Sequence, residues 1–241
     1  MDKQTLIVSI MAVNNETGAI NDLKALSEVV KQYPKCFFHS DATQGIGKVD
    51  IDYSGVDLLT FSGHKIGAFK GSGALIYHNR IGFESLHSGG SQEGGFRAGT
   101  VDVPSCVCLA KALHLCFVNQ KAWGEHVREL NNHLRDKLKD NSLISINSLP
   151  NDSPYVLNFS LTKHKASVVV EALSRLGIYV SSIAACSSKG EEPSYVLEAM
   201  GKPSWASHNP IRVSFNHETS LEEVDAFVNA LEKILQEVRP L

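Results

Sequence analysis

Apolar and polar positions along the chain alternate between two periods. Residues 5–13 form a nearly unbroken apolar run, Thr5-Leu6-Ile7-Val8-Ser9-Ile10-Met11-Ala12-Val13. Such a run predicts a strand buried on both faces, as in a parallel sheet. Polar turn residues follow, Asn14-Asn15-Glu16-Thr17-Gly18. Leu23, Leu26, Val29 and Val30 then recur at helical spacing over 22–33, with Asn21 or Asp22 in position to cap. Short apolar runs at 36–39, 56–61 and 73–77 predict three more strands. The first two of these end in polar residues, Ser40-Asp41 and Ser62-Gly63-His64-Lys65. A glycine-rich loop covers 88–100, and 104–139 predicts one long helix that connects to a second domain. Beyond it the expected order is a strand at 156–161, a helix at 166–176 stopped by Gly177, a helix at 192–201, a strand at 211–215 and a closing helix at 221–238. Strands alternating with helices, then a mixed C-terminal part, predict an α/β domain over 1–115 and an α+β domain over 116–241.

Composition narrows the classes. The chain has 241 residues, 43% of them hydrophobic and 20% charged, which is ordinary for a globular protein with a real core. Lys plus Arg number 23 and Asp plus Glu 26, giving a net charge of −3 and no basic surplus for nucleic acid. No apolar run reaches the ~20 residues that span a bilayer, and no secretory leader pattern is visible. Five cysteines without a CxxC pair argue for free thiols in a reducing cytoplasm rather than a disulfide framework. Cys36, Cys106, Cys108 and Cys116 lie in apolar surroundings and are expected in the core. Cys186 lies in a run of small and polar residues, expected to be a mobile loop that offers a nucleophilic thiol. Ten histidines without HExxH give no zinc pattern, and Gly67, Gly71 and Gly73 match neither a Walker loop nor GxGxxG.

Several short segments carry candidate chemistry. Lys65, at a strand end and followed by small residues, can be desolvated there, leaving a neutral amine able to form a Schiff base. Ser62 and His64 beside it can bind an anion. Asp41 also ends a strand, where open α/β sheets place their ligands, and a carboxylate there can hold a protonated pyridine nitrogen. Asn15 follows the first strand and can donate to a phenolic oxygen. Arg212 interrupts an apolar strand, Ile211-Arg212-Val213-Ser214. A guanidinium so placed needs an anionic partner, either a structural ion pair or a substrate carboxylate. Taken singly, each segment also has a plain structural reading as a turn, a cap or a solvated charge.

In order and spacing, these blocks resemble the NifS-like cysteine desulfurases of the class V aminotransferase superfamily. The resemblance runs through Val13-Asn14-Asn15-Glu16-Thr17-Gly18, His39-Ser40-Asp41-Ala42-Thr43-Gln44, Phe61-Ser62-Gly63-His64-Lys65, Gly89-Gly90-Ser91-Gln92-Glu93, Arg97-Ala98-Gly99-Thr100, Ala185-Cys186-Ser187, Glu192-Pro193-Ser194-Tyr195 and Ile211-Arg212-Val213-Ser214. It implies pyridoxal 5'-phosphate (PLP) as cofactor and a fold-type-I PLP-dependent transferase, here with an incomplete, mainly parallel large domain and a C-terminal α+β small domain. By position it implies Lys65 as the Schiff-base lysine, Asp41 as the partner of the pyridine nitrogen, and Gln44 and Asn15 as donors near the ring oxygen. Ser62 and His64 become phosphate ligands, Thr100 a reach to the phosphate of the other subunit of a homodimer, Arg212 the carboxylate clamp, and Cys186 the persulfide former. The implied substrate is L-cysteine, and the implied sulfur acceptor is a protein such as an iron–sulfur scaffold. Selenocysteine lyase, or a non-catalytic binding or dimerisation module, are the alternatives. The family stretch that precedes the Asn15 block, with a Gly/Thr phosphate turn and a ring-stacking histidine, has no counterpart here. The expectation is therefore an open phosphate cup and an exposed seam along the first strand.

Overall fold

The computed structural model describes residues 1–2, 4–182 and 192–240, so Cys186 lies outside the described residues. The chain divides into two compact units, one formed by Met1–Val13 and Asn21–Gln120, the other by Asn14–Ile20 and Lys121–Leu241. The third crossing falls inside one helix, α2 (Val103–Leu138), the long helix that the periodicity predicts.

The first unit is built on a four-stranded sheet of β1 (Ile7–Ser9), β2 (Phe37–Asp41), β3 (Leu58–Ser62) and β4 (Gly73–Tyr77), in the order β1-β2-β3-β4. β1, β2 and β3 run parallel, and β4 is antiparallel to β3. Helix α1 (Leu23–Val30) buries Leu23, Ser27 and Val30, and the Asp22 side chain caps it by accepting from the Ala25 N–H at 2.9 Å. The central strands carry the core residues of this sheet, among them Phe38, Leu58, Leu59 and Phe61. The expectation that the first strand is buried on both faces is corrected in two ways. Only Ile7–Ser9 has strand geometry, and Leu6 and Ile7 are 66% and 57% exposed. The reason is positional: β1 pairs with β2 on one side and is the outermost described strand. Two cysteines also depart from expectation. Cys36 and Cys116 are buried, whereas Cys106 is exposed and Cys108 half-buried, because α2 buries no residue before Ala112.

The second unit is an antiparallel sheet of β5 (Ile144–Ile146), β6 (Val156–Leu161), β8 (Pro210–Ser214) and β7 (Ser181–Ser182), in the order β5-β6-β8-β7. Its helices are the second half of α2, α3 (Ala166–Arg175), α4 (Tyr195–Ala199), α5 (Ser204–His208) and α6 (Leu221–Glu237). One continuous core joins Leu130 and Leu134 of α2, Leu157, Phe159 and Leu161 of β6, Val169 and Leu173 of α3, Ile211 of β8 and Leu231 of α6. Alternation on β6 sends its other face, Val156, Asn158 and Ser160, to the opposite side, and these are buried too. Helix α6 starts with a capping box, Ser220 and Glu223 each bonding the other's backbone N–H. Helix α3 ends where the sequence predicts, with Gly177 at φ 78°.

Candidate functional site

In the first unit the chemistry gathers at the C-terminal ends of two adjacent parallel strands. Asp41 is the last residue of β2 and Ser62 the last of β3. Past Ser62 the chain makes one 3-10 turn, Gly63–Lys65, closed by the Ile66 N–H donating to the Gly63 carbonyl at 3.0 Å. Gly63 is buried, and a side chain there would run into the Ser72 hydroxyl and the Leu109 methyl group. Ile66 is buried beneath the turn, so His64 and Lys65 project outward and are exposed. The two strand ends are laced together. The Thr43 N–H donates to Asp41 Oδ1 at 2.8 Å, and the Ser62 N–H donates to Thr43 Oγ1 at 3.2 Å. Asp41 is exposed, Gln44 is half-buried one residue beyond Thr43, and Thr100 is exposed. The sequence therefore brings Asp41, Gln44, Ser62, His64 and Lys65 to one end of one sheet. It misjudges the setting of Lys65, which the structure leaves in solvent rather than desolvated, because the 3-10 turn buries Gly63 and Ile66 instead.

The desolvated lysine of this unit is Lys48. Burial first, and the positive charge of Lys65 second, push it down to about 8. A cavity of about 290 Å³, lined by residues such as Val30, Cys36, Phe38 and Arg80, begins at the opposite, N-terminal end of β2, away from these groups.

In the second unit a row of polar residues crosses three antiparallel strands. Asn158 of β6 and Ser181 of β7 both stand opposite Arg212 of β8. Arg212 Nη1 donates to the Asn15 carbonyl at 2.9 Å and Nη2 to Ser181 Oγ at 3.3 Å. Its Nε is buried and has no hydrogen-bond partner. The strand arginine is thus held by neutral oxygens and keeps donor capacity for an anion. Asn15, Glu16, Asn158, Ser181, Ser182 and Arg212 line a cavity of about 80 Å³. That volume admits a group of a few heavy atoms, such as a carboxylate.

Asn15 reaches this cavity because the turn that carries it is fixed to the second unit. Asn158 Nδ2 donates to the Glu16 carbonyl at 3.1 Å, Ser148 Oγ to the Thr17 carbonyl at 2.6 Å, and the Ser153 N–H to the Gly18 carbonyl at 2.8 Å. Ser194 Oγ donates to Glu16 Oε2 at 2.5 Å and accepts from the Leu197 N–H at 3.1 Å, which makes it the N-cap of α4. Sequence reasoning passes over Glu16, Ser181, Ser194 and Asn158. Of these only Ser194 carries a local signal, a serine ahead of a helix. Among the described residues no group of three or more His, Cys, Asp or Glu could hold a metal ion.

The chain is similar to characterised families along its length. The sequence profile of the Aminotransferase class-V family matches residues 1–227. The chain is 37% identical over 246 aligned residues to Cysteine desulfurase IscS of Buchnera aphidicola subsp. Schizaphis graminum and, equally, to Cysteine desulfurase IscS of Escherichia coli O139:H28. In each case all of this chain is covered and 60% of the relative, so the chain spans about 60% of the length of the curated relatives it matches. Among solved structures, a NifS-like protein superposes with TM-score 0.90 at 32% identity, over 99% of this chain and 63% of that one. The NifS-like protein from Rickettsia africae ESF-5 superposes with TM-score 0.85 at 30% identity, over 95% and 62%. The α/β unit with its mainly parallel sheet and the blocks around Asp41 and Lys65 fall within these matches, and the chain belongs to the aminotransferase class-V family.

Proposed function

We propose that this chain carries the cofactor and substrate groups of a PLP-dependent cysteine desulfurase, which converts L-cysteine to L-alanine and leaves the sulfur as a persulfide on Cys186. The observation that carries the reading is the set of side chains at the ends of β2 and β3. A carboxylate, an amide, a hydroxyl, an imidazole and a primary amine stand on two neighbouring strand ends laced through Thr43. That donor set complements a pyridine nitrogen, a phenolic oxygen, a phosphate and an aldehyde. The glycine cradle at Gly63, which a Cβ would fill, lets the backbone turn tightly where the phosphate ligands are needed. The names of the IscS relatives point the same way.

Asp41, Gln44, Ser62, His64 and Lys65 would hold the group, with Thr100 serving the second copy of a homodimer. Bound PLP supplies an electron sink that stabilises negative charge at the substrate Cα. Lys65 Nζ, exposed and free to swing, takes the proton from Cα and returns a proton as alanine forms. The Asp41 carboxylate holds a proton at the ring nitrogen. Arg212 and Asn15 bind the α-carboxylate, using the donor capacity that Arg212 retains. The Cys186 thiolate attacks the substrate sulfur: an S–S bond forms, the substrate C–S bond breaks, and its electron pair stays with the carbon that becomes alanine. The persulfide then passes to an acceptor such as an iron–sulfur scaffold protein. Four described cysteines without disulfides fit a reducing compartment such as the cytoplasm.

Adding PLP to the chain is expected to give a visible absorbance band that Lys65→Ala abolishes. With dithiothreitol as acceptor, L-cysteine then yields alanine and sulfide, and Cys186→Ser yields neither. A band unaffected by Lys65→Ala overturns the cofactor role, and sulfide release that survives Cys186→Ser overturns persulfide chemistry.

A further inference from the structure

The proposed reaction gives roles to Asn15 and Arg212 but none to Glu16, which lines the same cavity. Its surroundings define what it does. Arg212 is oriented by two bonds, one to the Asn15 carbonyl and one to Ser181 Oγ. The first of these anchors is backbone, so the guanidinium takes its direction from the position of the Asn15–Glu16 peptide. That peptide's N–H donates to Asn14 Oδ1 at 2.9 Å, and Glu16 is further held by Asn158 through its carbonyl and by Ser194 through its carboxylate. Asn158 is itself fixed, its Oδ1 accepting from Asn147 Nδ2 at 2.8 Å and its N–H donating to Ser148 Oγ at 2.8 Å. Ser194 is fixed as well. Its N–H donates to the Ser207 carbonyl at 2.8 Å, and its hydroxyl caps α4.

We propose that Glu16 is a positioning residue: by locking its turn to Ser194 at the head of α4 it sets the direction in which Arg212 and Asn15 meet a substrate carboxylate. The proposal deepens, and rests on, the desulfurase reading. A hydrogen bond to an ionised carboxylate is among the strong ones, so this link holds the turn more firmly than a neutral contact would. Ser181 precedes Cys186 and Ser194 follows it. Both serines are bonded to the clamp, one through Arg212 and the other through Glu16.

The test compares Glu16→Ala, Glu16→Gln and Ser194→Ala in the full chain loaded with PLP. Glu16→Ala is expected to raise KM for L-cysteine about tenfold with kcat within about twofold, the split expected when binding geometry rather than chemistry is lost. Glu16→Gln keeps an oxygen for Ser194 and is expected to restore KM to near the parent value. Ser194→Ala should match Glu16→Ala, and combining the two should add little. A second readout needs no turnover: the Arg212 Nε–H resonance of the chain without PLP should shift in Glu16→Ala and Ser194→Ala and return in Glu16→Gln. An unchanged KM and an unchanged Arg212 resonance in Glu16→Ala overturn the proposal, and so does a Gln variant as impaired as Ala. If the loaded parent chain makes no alanine, the desulfurase reading falls, and the Arg212 resonance alone decides whether Glu16 positions the guanidinium.

Discussion

The two sheets of this chain each carry a polar row across three strands, and the rows are built in opposite ways. In the second unit Asn158, Arg212 and Ser181 stand abreast on strands whose other face is packed against α2, α3 and α6. In the first unit His39 Nδ1 meets Ser9 Oγ at 2.7 Å and its Nε2 meets Thr60 Oγ1 at 3.0 Å, again across three strands. Ser9 and Ile7 of that outermost strand are exposed, as are Leu75, Ile76 and Tyr77 of β4 at the other edge. The second unit has a closed core and a recognition row whose directions are fixed. The first has an open-edged sheet whose chemical groups, Asp41, His64 and Lys65, stand in solvent. Hydrogen-bonded recognition groups and exposed reactive groups are thus segregated by unit.

The difference is largest in side-chain burial, and mutation can break it there. Phe159→Ala in β6, where the ring is wholly buried, is expected to cost about 3–5 kcal/mol. Ile7→Ala in β1, with its side chain 57% exposed, is expected to cost less than about 1 kcal/mol. Denaturant midpoints of the two variants read the contrast directly. Equal losses would mean that the edge strand is as enclosed as the central one.

A middle-sized effect tests the first unit where it is tight. Gly47 has φ 67°, and a Cβ built on it would lie 2.6 Å from Cys116 Cβ on α2. Gly47→Ala is expected to cost about 1–3 kcal/mol, from the left-handed backbone and the clash together. Cys116→Ala should recover little of it, because the atom met is Cys116 Cβ, which alanine keeps, and Sγ is already at an ordinary 3.7 Å. A Gly47→Ala chain as stable as the parent would show that α2 packs loosely on this loop.

What the sequence made legible follows the range of the forces involved. The 3.6-residue period located α2, α3 and α6 to within a residue or two, since each presents one apolar face to a core. β5 and β7, at three and two residues, are too short to show any period. The gathering of Asp41, Ser62, His64 and Lys65 was readable because neighbouring parallel strands end at one edge. The exposure of Lys65 was not, since it depends on which residue of the 3-10 turn faces inward. The attachment of the 14–20 turn to the second unit was hidden for a different reason. Its anchors Ser148, Asn158 and Ser194 lie 131 to 178 residues from their partners, beyond any local pattern. The pairing of His39 with Thr60 had a weak signal, since His39 and Asp41 share a face of β2 by alternation.

The smallest expected effect concerns how each unit treats a half-buried cation. In the second unit all three Arg135 nitrogens donate, Nε to Asn131 Oδ1 at 2.8 Å and Nη1 and Nη2 to the Ser148 and Leu149 carbonyls at 2.9 Å each. In the first unit Lys48 is half-buried within range of a second positive charge, Lys65, and is pushed down to about 8 from an ordinary 10.5. Below about pH 8 Lys48 is charged whether the chain is folded or not, and the folded state bears the full cost of burying it. Between about 8 and 10.5 the unfolded chain still holds a proton that the folded chain has released, so this residue makes stability rise with pH. Above 10.5 it is neutral in both states and adds no further slope. Lys48→Met removes that slope, along with a constant offset from its other contacts. The stability gained by the Met variant over the parent should therefore shrink as pH rises from 8 to 10.5, read by urea unfolding at both ends. Lys65→Met should flatten part of the parent slope, because the neighbouring charge is the second cause of the shift. Parallel pH profiles for the parent and Lys48→Met would mean that Lys48 holds its proton as well in the folded chain as in the unfolded one.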